Sequence, residues 1–324
     1  MGKKTPIHIA SDQEDGAFGI ANHGPMNLVG ATNARGSANN GVTHAVGTTL
    51  EYTPPADSVS GAYSLYSTRL AISTYTGPLI RLRRDSDQAE ADIFPKANGQ
   101  IDDDFISSFA GGANTFIETW YDQGENFDLS NSTAGSQPAW DNTGLFGKGN
   151  GTSSCLLNNS GADAPWNTTH FVSMVISLEE SQNQGQSFPK IFGNGSFSGG
   201  GMIIDCWGTA INNANQNCKY NTADLAGFTG NVEIPSPTPN TDEVLGFIKE
   251  TTGANDWEAY QDASNVDTDT YPGYTNTTGF WSMFCSWYNG DFVVGNIKEI
   301  LLFQNSNTAD LVSVQNNQKS YFGV

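Results

Sequence analysis

Residues 62–138 contain the pattern that most restricts the fold of this 324-residue chain. Apolar and polar side chains alternate in residues 79–83, and residues 116–121 are rich in β-formers, as in strands that bury one face. Between them, residues 101–109 carry apolar residues at helical spacing, have three aspartates near their start, and stop before Gly111. Acids in the first turn and a glycine at the end are typical of a short helix. This segment therefore predicts two strands separated by a short helix.

The rest of the chain predicts short strands joined by loops. Only 15% of its residues are charged, and its 36 glycines and many Asn and Asp residues are turn formers. Further strands are predicted at residues 170–178, 190–193, 201–207, 243–250 and 257–262, and a glycine-broken strand pair at 291–303. Residues 139–170 are predicted to be loop-rich, and residues 232–240, with three prolines, to be a stiff loop.

A helix is predicted at the C-terminal end of the sequence. Asn307 or Thr308 provides its N-cap, because both side chains can accept a hydrogen bond from the first turn. The buried stripe is expected to consist of Leu311, Val312, Gln315, Gln318 and Tyr321.

Residues 1–55 differ from the rest of the chain. They hold few bulky apolar residues and no sustained periodicity, and residues 53–55, Thr-Pro-Pro, mark their end. A disordered tail is one interpretation. We favour an extended arm that orders against a partner, because scattered apolar residues such as Phe18 and Leu28 provide anchors.

The charge and the cysteines limit the functional classes. A net charge of −20 argues against nucleic acid and against an anionic membrane surface. Because the chain has no apolar run of the necessary length, we expect no transmembrane span, and we expect no signal peptide. The four cysteines lack metal-ligand spacing. We expect four free thiols in a protein made in a reducing cytoplasm, with a Cys206–Cys218 disulfide as the alternative.

Several motifs resemble the catalytic domain of the arabinofuranosidase B family, glycoside hydrolase family 54. They are Ala62-Tyr63-Ser64, Tyr75-Thr76-Gly77-Pro78, an arginine-rich strand followed by Ser86-Asp87, and Trp120-Tyr121-Asp122-Gln123. The family pattern continues this last box with Ser-Gly, whereas this chain has Gly124-Glu125-Asn126. The closing strand and helix are similar to those of many concanavalin A-like domains, and the module is similar to building blocks of bacteriophage tail and virion proteins.

The resemblance implies an all-β fold, a concanavalin A-like jelly-roll sandwich with short helices. We assign this domain to residues 56–324 and the extended N-terminal arm to residues 1–55. A fold hosts many functions, so the resemblance alone does not imply catalysis.

The resemblance also places the family's catalytic positions in this chain. Its nucleophile is a glutamate after a glycine-rich turn, and the matching residue here is Ile203, in Gly200-Gly201-Met202-Ile203. The position of its acid/base falls on Trp287 or Tyr288. An isoleucine cannot attack an anomeric carbon, so we predict no catalytic residues. The alternative is an arabinofuranosidase in which Asp205 and Asp291 form the carboxyl pair.

Aromatic residues in the second half of the chain suggest a glycan site, because saccharides stack on aromatic faces. The candidate ligand-binding residues are Trp207, Trp257, Trp281, Trp287 and Tyr288. Core packing of a sandwich is the alternative interpretation.

Other polar motifs have structural interpretations. We interpret residues 102–104, Asp-Asp-Asp, as a helix start rather than a calcium site, and discount calcium for Asp262, Asp267 and Asp269 as well. We predict neither a metal site nor a cofactor. Asp122 is expected to be a buried hydrogen-bonding residue, and the arginines at 81, 83 and 84 to pair with Asp85, Asp87 or Glu90.

We therefore predict a non-catalytic virion surface protein, of the capsid-decoration, head-fibre or tail-fibre type. Residues 1–55 are expected to bind other virion proteins, the chain to form homo-oligomers, and the domain to bind a host surface glycan. A catalytic arabinofuranosidase and a stand-alone glycan-binding module are the alternatives.

Overall fold

The computed structural model describes residues 52–158, 169–179, 190–196, 200–208, 216–224, 227–235, 238, 240–250, 257–269, 281–285 and 292–324. The first eight strands in chain order are β1 (Ala62–Ser67), β2 (Ile80–Arg84), β3 (Glu90–Ile93), β4 (Thr115–Trp120), β5 (Leu129–Ser130), β6 (Ala139–Asp141), β7 (Phe146–Asn150) and β8 (Leu156–Asn158). The next ten are β9 (His170–Leu178), β10 (Lys190–Ser196), β11 (Gly200–Gly208), β12 (Gln216–Asp224), β13 (Gly227–Pro235), β14 (Glu243–Lys249), β15 (Trp257–Gln261), β16 (Ser264–Asp269), β17 (Trp281–Met283) and β18 (Val294–Phe303). The helices are α1 (Asp103–Ala110) and α2 (Thr308–Phe322), and short 3-10 turns occupy Pro55–Asp57 and Ala134–Ser136.

The strands form two antiparallel layers. One layer runs in the order β1, β18, β9, β14, β15, β16. The other runs from β13 through β12, β11, β10, β17, β8, β5 and β4 to β2 and β3. Strands β6 and β7 connect β4 with β18, so the two layers join along one side. This is the all-β jelly-roll sandwich that the sequence predicts.

Strand β9 shows how the sequence builds the layers. All nine of its residues are buried, which explains its nearly continuous apolar run. Val172, Met174 and Ile176 lie in the core between the two sheets. Phe171 points to the other side, where it packs with residues such as Leu311 of α2. The strand therefore has two apolar faces because it is covered by a sheet on one side and a helix on the other.

Both predicted helices are confirmed. The Asp102 carboxylate accepts a hydrogen bond from the backbone N–H of Phe105, and Gly111 ends α1 in the left-handed conformation. The Asn307 side chain caps α2, and Gly323 ends it in the same way as Gly111. The predicted stripe is wrong at Val312 and Tyr321, which are only partly buried, whereas Val314 lies in the core.

Three segments differ from the prediction. Residues 139–158 contain β6, β7 and β8 where a loop was expected. Residues 294–303 form one continuous strand, because Gly295 allows close approach of β9 and does not make a turn: a Cβ there would lie 2.6 Å from the Ser177 carbonyl oxygen. The predicted loop at 232–240 begins as the end of β13, since proline can close a strand without breaking earlier pairing.

The prediction of four free thiols is wrong, because Cys155 and Cys285 form a disulfide. The bond joins the segment before β8 to the residue just beyond β17, two strands that are neighbours in the sheet. The two cysteines are 130 residues apart in sequence, so only the fold brings them together. Cys206 and Cys218 are direct partners in the register of β11 and β12.

The last residues of the predicted arm pack on the sandwich. The Tyr52 hydroxyl donates to the carbonyl oxygens of Leu70 and Gly99, at 2.9 Å each. The Asn317 side chain of α2 donates to the Thr53 carbonyl oxygen at 2.7 Å. The remainder of the arm, residues 1–51, lies outside the described residues.

Candidate functional site

Strand β11 carries the position that the resemblance assigns to the nucleophile. Ile203 pairs with Gly193 of β10 and with Asn221 of β12, in the middle of a regular antiparallel arrangement. Strand β11 is thus regularly paired at Ile203, the aliphatic residue at the position that the resemblance assigns to the family's glutamate.

Asp205, the alternative nucleophile, stands between two lysines in the register. Lys190 of β10 is its partner on one side and Lys219 of β12 on the other. Opposite charges at paired positions of an antiparallel sheet attract each other. The register thus places residues of opposite charge at paired positions of β10, β11 and β12.

The other alternative carboxyl, Asp291, lies outside the described residues, as do Trp287 and Tyr288. Trp207 is described as part of β11, paired with Asn217 of β12.

Trp257 and Trp281 are core residues, 1% and 0% exposed. The Trp281 ring stacks on Phe127 with centroids 5.7 Å apart and lies 5.4 Å from the ring of Phe192. Neither tryptophan has an exposed ring face on which a sugar could stack, so the predicted ligand-binding role is wrong for these two residues. They instead pack in the core of the sandwich, as the alternative interpretation states.

The Trp120–Gln123 box is the centre of a network of buried hydrogen bonds. Oδ1 of Asp122 accepts backbone N–H groups from Leu65 at 2.7 Å and Gly124 at 2.8 Å, while Oδ2 accepts those of Asn126 at 3.2 Å and Phe127 at 3.0 Å. Burial raises the pKa of the Asp122 carboxyl, against the opposing effect of these donors. The predicted structural role of Asp122 is confirmed.

Gln123 extends this hydrogen-bond network to residues 69–71, which follow β1. Its amide oxygen accepts the Ala71 N–H at 2.7 Å, and its amide nitrogen donates to the Arg69 carbonyl oxygen at 2.8 Å. The buried side chains of Asp122 and Gln123 therefore hydrogen-bond the end of β4 to β1 and to the residues that follow β1. The box explains fold similarity without requiring shared chemistry.

The arginines of β2 have structural partners. Arg83 and Arg84 pair with Asp85 and Asp87, as predicted. Arg81 instead binds Asp92, which lies opposite it on β3, at 2.7 Å. The aspartates of α1 are also engaged, since Asp103 and Asp104 both pair with Lys96. In the described segments, no group of three or more His, Cys, Asp or Glu is arranged to hold a metal ion.

A buried pair of basic residues was missed by the sequence prediction. Lys249 ends β14 opposite His170 of β9, and the two residues are 4% and 0% exposed. Burial lowers the pKa of Lys249 to about 8. The burial of Lys249 could have been predicted from the alternation of side chains along β14, which places Lys249 on the same face as the core residues Leu245 and Phe247.

An open cavity of about 410 Å³ lies against the box. The loop between β1 and β2 and the loop between β4 and β5 line this cavity. None of its lining residues was predicted from the sequence to bind a ligand. The signal that could have found it is the altered end of the box, Gly124-Glu125-Asn126, two residues of which line the cavity.

Comparison with known proteins shows that part of the chain matches a family model. The family model described as Alpha-L-arabinofuranosidase B, catalytic, matches residues 53–161. No curated protein sequence matches the chain significantly. The matched segment contains the box and the cavity but ends before β9.

Solved structures extend the similarity across the sandwich. An arabinofuranosidase complexed with arabinofuranosyl-α-1,2-xylobiose is 17% identical with a TM-score of 0.61, over 82% of this chain and 64% of that one. A family 54 α-L-arabinofuranosidase soaked with a cyclic sulfate inhibitor is 16% identical with a TM-score of 0.58, over 79% and 62%. The chain thus spans less than two thirds of the length of these enzymes. At this identity they establish an arabinofuranosidase-like glycoside-hydrolase fold.

One further property of the described part of the chain concerns membranes. None of its helices combines the length and the apolar character needed to cross a bilayer.

Proposed function

We propose that this protein is a non-catalytic virion surface protein that uses an arabinofuranosidase-type sandwich to recognise glycans. The proposal is supported by Ile203, an aliphatic residue in a regularly paired strand, at the position that the sequence resemblance assigns to the family's nucleophile. A retaining glycosidase requires two carboxyl groups about 5 Å apart across the scissile bond. An isoleucine side chain provides no group that can attack the sugar.

The charge pattern around Asp205 supports this proposal. In the register, Asp205 lies between Lys190 and Lys219, and residues of opposite charge at paired positions favour the pairing of strands. The charge pattern of these strands therefore accounts for an aspartate at this position without a substrate.

The virion assignment depends on residues 1–55 and on composition. A glycine-rich and asparagine-rich segment with scattered apolar anchors suits an arm that orders against neighbouring subunits. In this proposal the arm binds other virion proteins, the chain forms homo-oligomers, and the sandwich is displayed towards the host.

Hydrolysis is tested with the full chain and 4-nitrophenyl α-L-arabinofuranoside, with Asp205→Asn as the matched variant. We expect wild type to release nitrophenol at the uncatalysed rate, and the variant to be indistinguishable from it. Turnover by wild type above the uncatalysed rate would overturn the non-catalytic assignment, and a loss of at least 100-fold in the variant would assign that turnover to Asp205.

The virion assignment is tested by mass spectrometry of particles purified by density gradient, followed by limited proteolysis. We expect peptides of this chain to band with the particles, and residues 1–55 to be protected only in the intact particle. Absence of the chain from infectious particles would contradict this part of the proposal.

An arabinofuranosidase is the second candidate. The match of residues 53–161 to the catalytic family and the fold shared with two enzymes favour it. In that case Asp205 and Asp291 would have to form the carboxyl pair, so Asp205→Asn and Asp291→Asn would each abolish turnover.

A further inference from the structure

The cavity beside the box is built from two loops on one side of the sandwich. Tyr75 and Gly77 come from the loop between β1 and β2, and Tyr121, Glu125 and Asp128 come from the end of β4 and the loop that follows it. Its volume of about 410 Å³ falls within the range of small-molecule sites and exceeds that of one sugar ring.

The loop that carries its polar groups is held rigidly. Asp122 binds the backbone N–H groups of Gly124, Asn126 and Phe127, so three of its residues are fixed by one buried carboxylate. The Tyr66 hydroxyl donates to the Phe127 carbonyl oxygen at 2.5 Å. A site whose groups are already fixed loses less entropy when it binds a ligand.

Two tyrosine rings are fixed in the cavity wall. The Tyr75 hydroxyl donates to the Pro78 carbonyl oxygen at 2.7 Å, and the Tyr121 hydroxyl donates to the Asp92 carboxylate at 2.8 Å. Tyr75 is 7% exposed and Tyr121 is half-buried, so the second ring presents more surface to a ligand. Tethered aromatic rings are suited to contact the apolar face of a saccharide.

Two glycines keep the wall in this shape. A Cβ at Gly77 would lie 2.5 Å from the Tyr75 hydroxyl oxygen, and a Cβ at Gly124 would lie 2.0 Å from the Tyr63 carbonyl oxygen. Neither position can carry a side chain without displacing a tyrosine or the backbone.

The electrostatics of the cavity select among ligands. Glu125 and Asp128 are exposed carboxylates on its rim, and Asp122 lies beneath them. Burial, followed by the negative charges of Asp128 and Asp122, raises the pKa of the Tyr75 hydroxyl. Carboxylates accept hydrogen bonds from sugar hydroxyls and repel the carboxylate of an acidic sugar.

We infer that this cavity is a binding site for neutral saccharides, in which Tyr121 contacts the sugar face and Glu125 and Asp128 accept hydrogen bonds from its hydroxyls. This inference deepens the proposed glycan recognition and depends on it. Glu125 falls where the chain departs from the family's Ser-Gly, so the site is a property of this chain and differs from the catalytic position on β11.

The test measures binding by titration calorimetry and saturation-transfer NMR, with the full chain and two probes. The neutral probe is arabinofuranosyl-α-1,2-xylobiose, and the acidic probe is glucuronic acid. We expect the neutral probe alone to bind. Tyr121→Ala and the double variant Glu125→Gln/Asp128→Asn should each weaken its binding at least tenfold. The double variant should also reduce the discrimination against glucuronic acid.

Asp104→Asn is the matched control, because Asp104 is a highly exposed carboxylate on α1 that does not line the cavity. It removes one negative charge and should leave binding unchanged. Thermal unfolding of all variants checks that the fold persists, and Tyr121→Phe, which keeps the ring, should retain most of the affinity.

The outcomes separate this inference from the proposed function. Saccharide binding that is insensitive to both cavity variants overturns the cavity assignment and leaves glycan recognition standing. Hydrolysis of 4-nitrophenyl α-L-arabinofuranoside overturns the non-catalytic proposal, whatever the cavity variants do. Preferential binding of glucuronic acid, or failure of the wild type to bind either probe, overturns the inference.

Discussion

Asp122 and Glu299 are both buried carboxylates, but the protein satisfies them in different ways. Asp122, 2% exposed, accepts four backbone N–H groups. Glu299, 0% exposed, binds Arg69 through both oxygens, at 2.9 and 3.1 Å, and accepts the Ser67 hydroxyl at 2.6 Å. The first arrangement uses neutral dipoles, and the second uses an opposite charge.

The difference has consequences for both regions. Neutral donors fix a loop while leaving a net negative charge near the surface, which suits the wall of a binding cavity. The ion pair cancels its charge and is covered by the rings of Tyr52 and Tyr321, whose centroids lie 4.8 and 4.1 Å from the Arg69 guanidinium carbon. It joins β1, β18 and the two ends of the described domain, which suits a structural clamp.

The largest effect is expected from Glu299→Gln, which leaves the Arg69 guanidinium buried without an opposite charge. We expect the free energy of unfolding to fall by about 3–5 kcal/mol, measured by urea denaturation. Asp92→Asn is the control, because it breaks the partly exposed pair with Arg81 and should cost less than about 1 kcal/mol. Equal losses in the two variants would contradict the clamp.

A smaller loss is expected from Asp122→Asn. The amide group replaces one acceptor oxygen, so two of the four backbone N–H groups lose their partner, at about 2–4 kcal/mol in total. Hydrogen exchange should become faster at residues 124–127, whereas Asp104→Asn should leave it unchanged. Unaltered exchange in this loop would show that Asp122 does not hold the cavity wall.

The smallest change, a gain in stability, is expected from Lys249→Met. The folded-state pKa of about 8 lies below the ordinary value of 10.5, so below pH 8 the protein bears the cost of a buried charge. The variant should be more stable at pH 7 by about 1–3 kcal/mol. Its advantage should shrink between pH 8 and pH 10.5, where wild type sheds the proton on folding; an advantage that grows with pH would contradict this assignment.

Local patterns in the sequence predicted several elements well. The predicted bounds of β9 agree with the structure, α1 begins at the predicted run of aspartates, and Asn307, one of the two predicted caps, caps α2. These features depend on neighbours within a few residues, such as a side-chain oxygen near the first N–H groups of a helix. Gly295 was misread because a glycine that permits close packing and a glycine that makes a turn look alike in sequence.

The candidate site was less predictable. Tryptophans 257 and 281 look alike whether they stack on a sugar or fill a core, and only their exposed fractions separate these roles. The cavity unites two loops that are about 45 residues apart, at Tyr75 and Tyr121. No periodicity relates such positions.

By itself, the sequence determined the class of fold and the absence of a nucleophilic side chain at residue 203. Alternation and composition indicate short strands directly, the resemblance of the motifs in residues 62–123 implies the jelly-roll class, and residue identity at position 203 is read from the chain itself. Only the tertiary structure decided that Cys155 bonds Cys285, that Arg69 pairs with Glu299, and which tyrosines face one cavity. These contacts join residues up to 230 positions apart, and they arise when the two sheets close over a shared core.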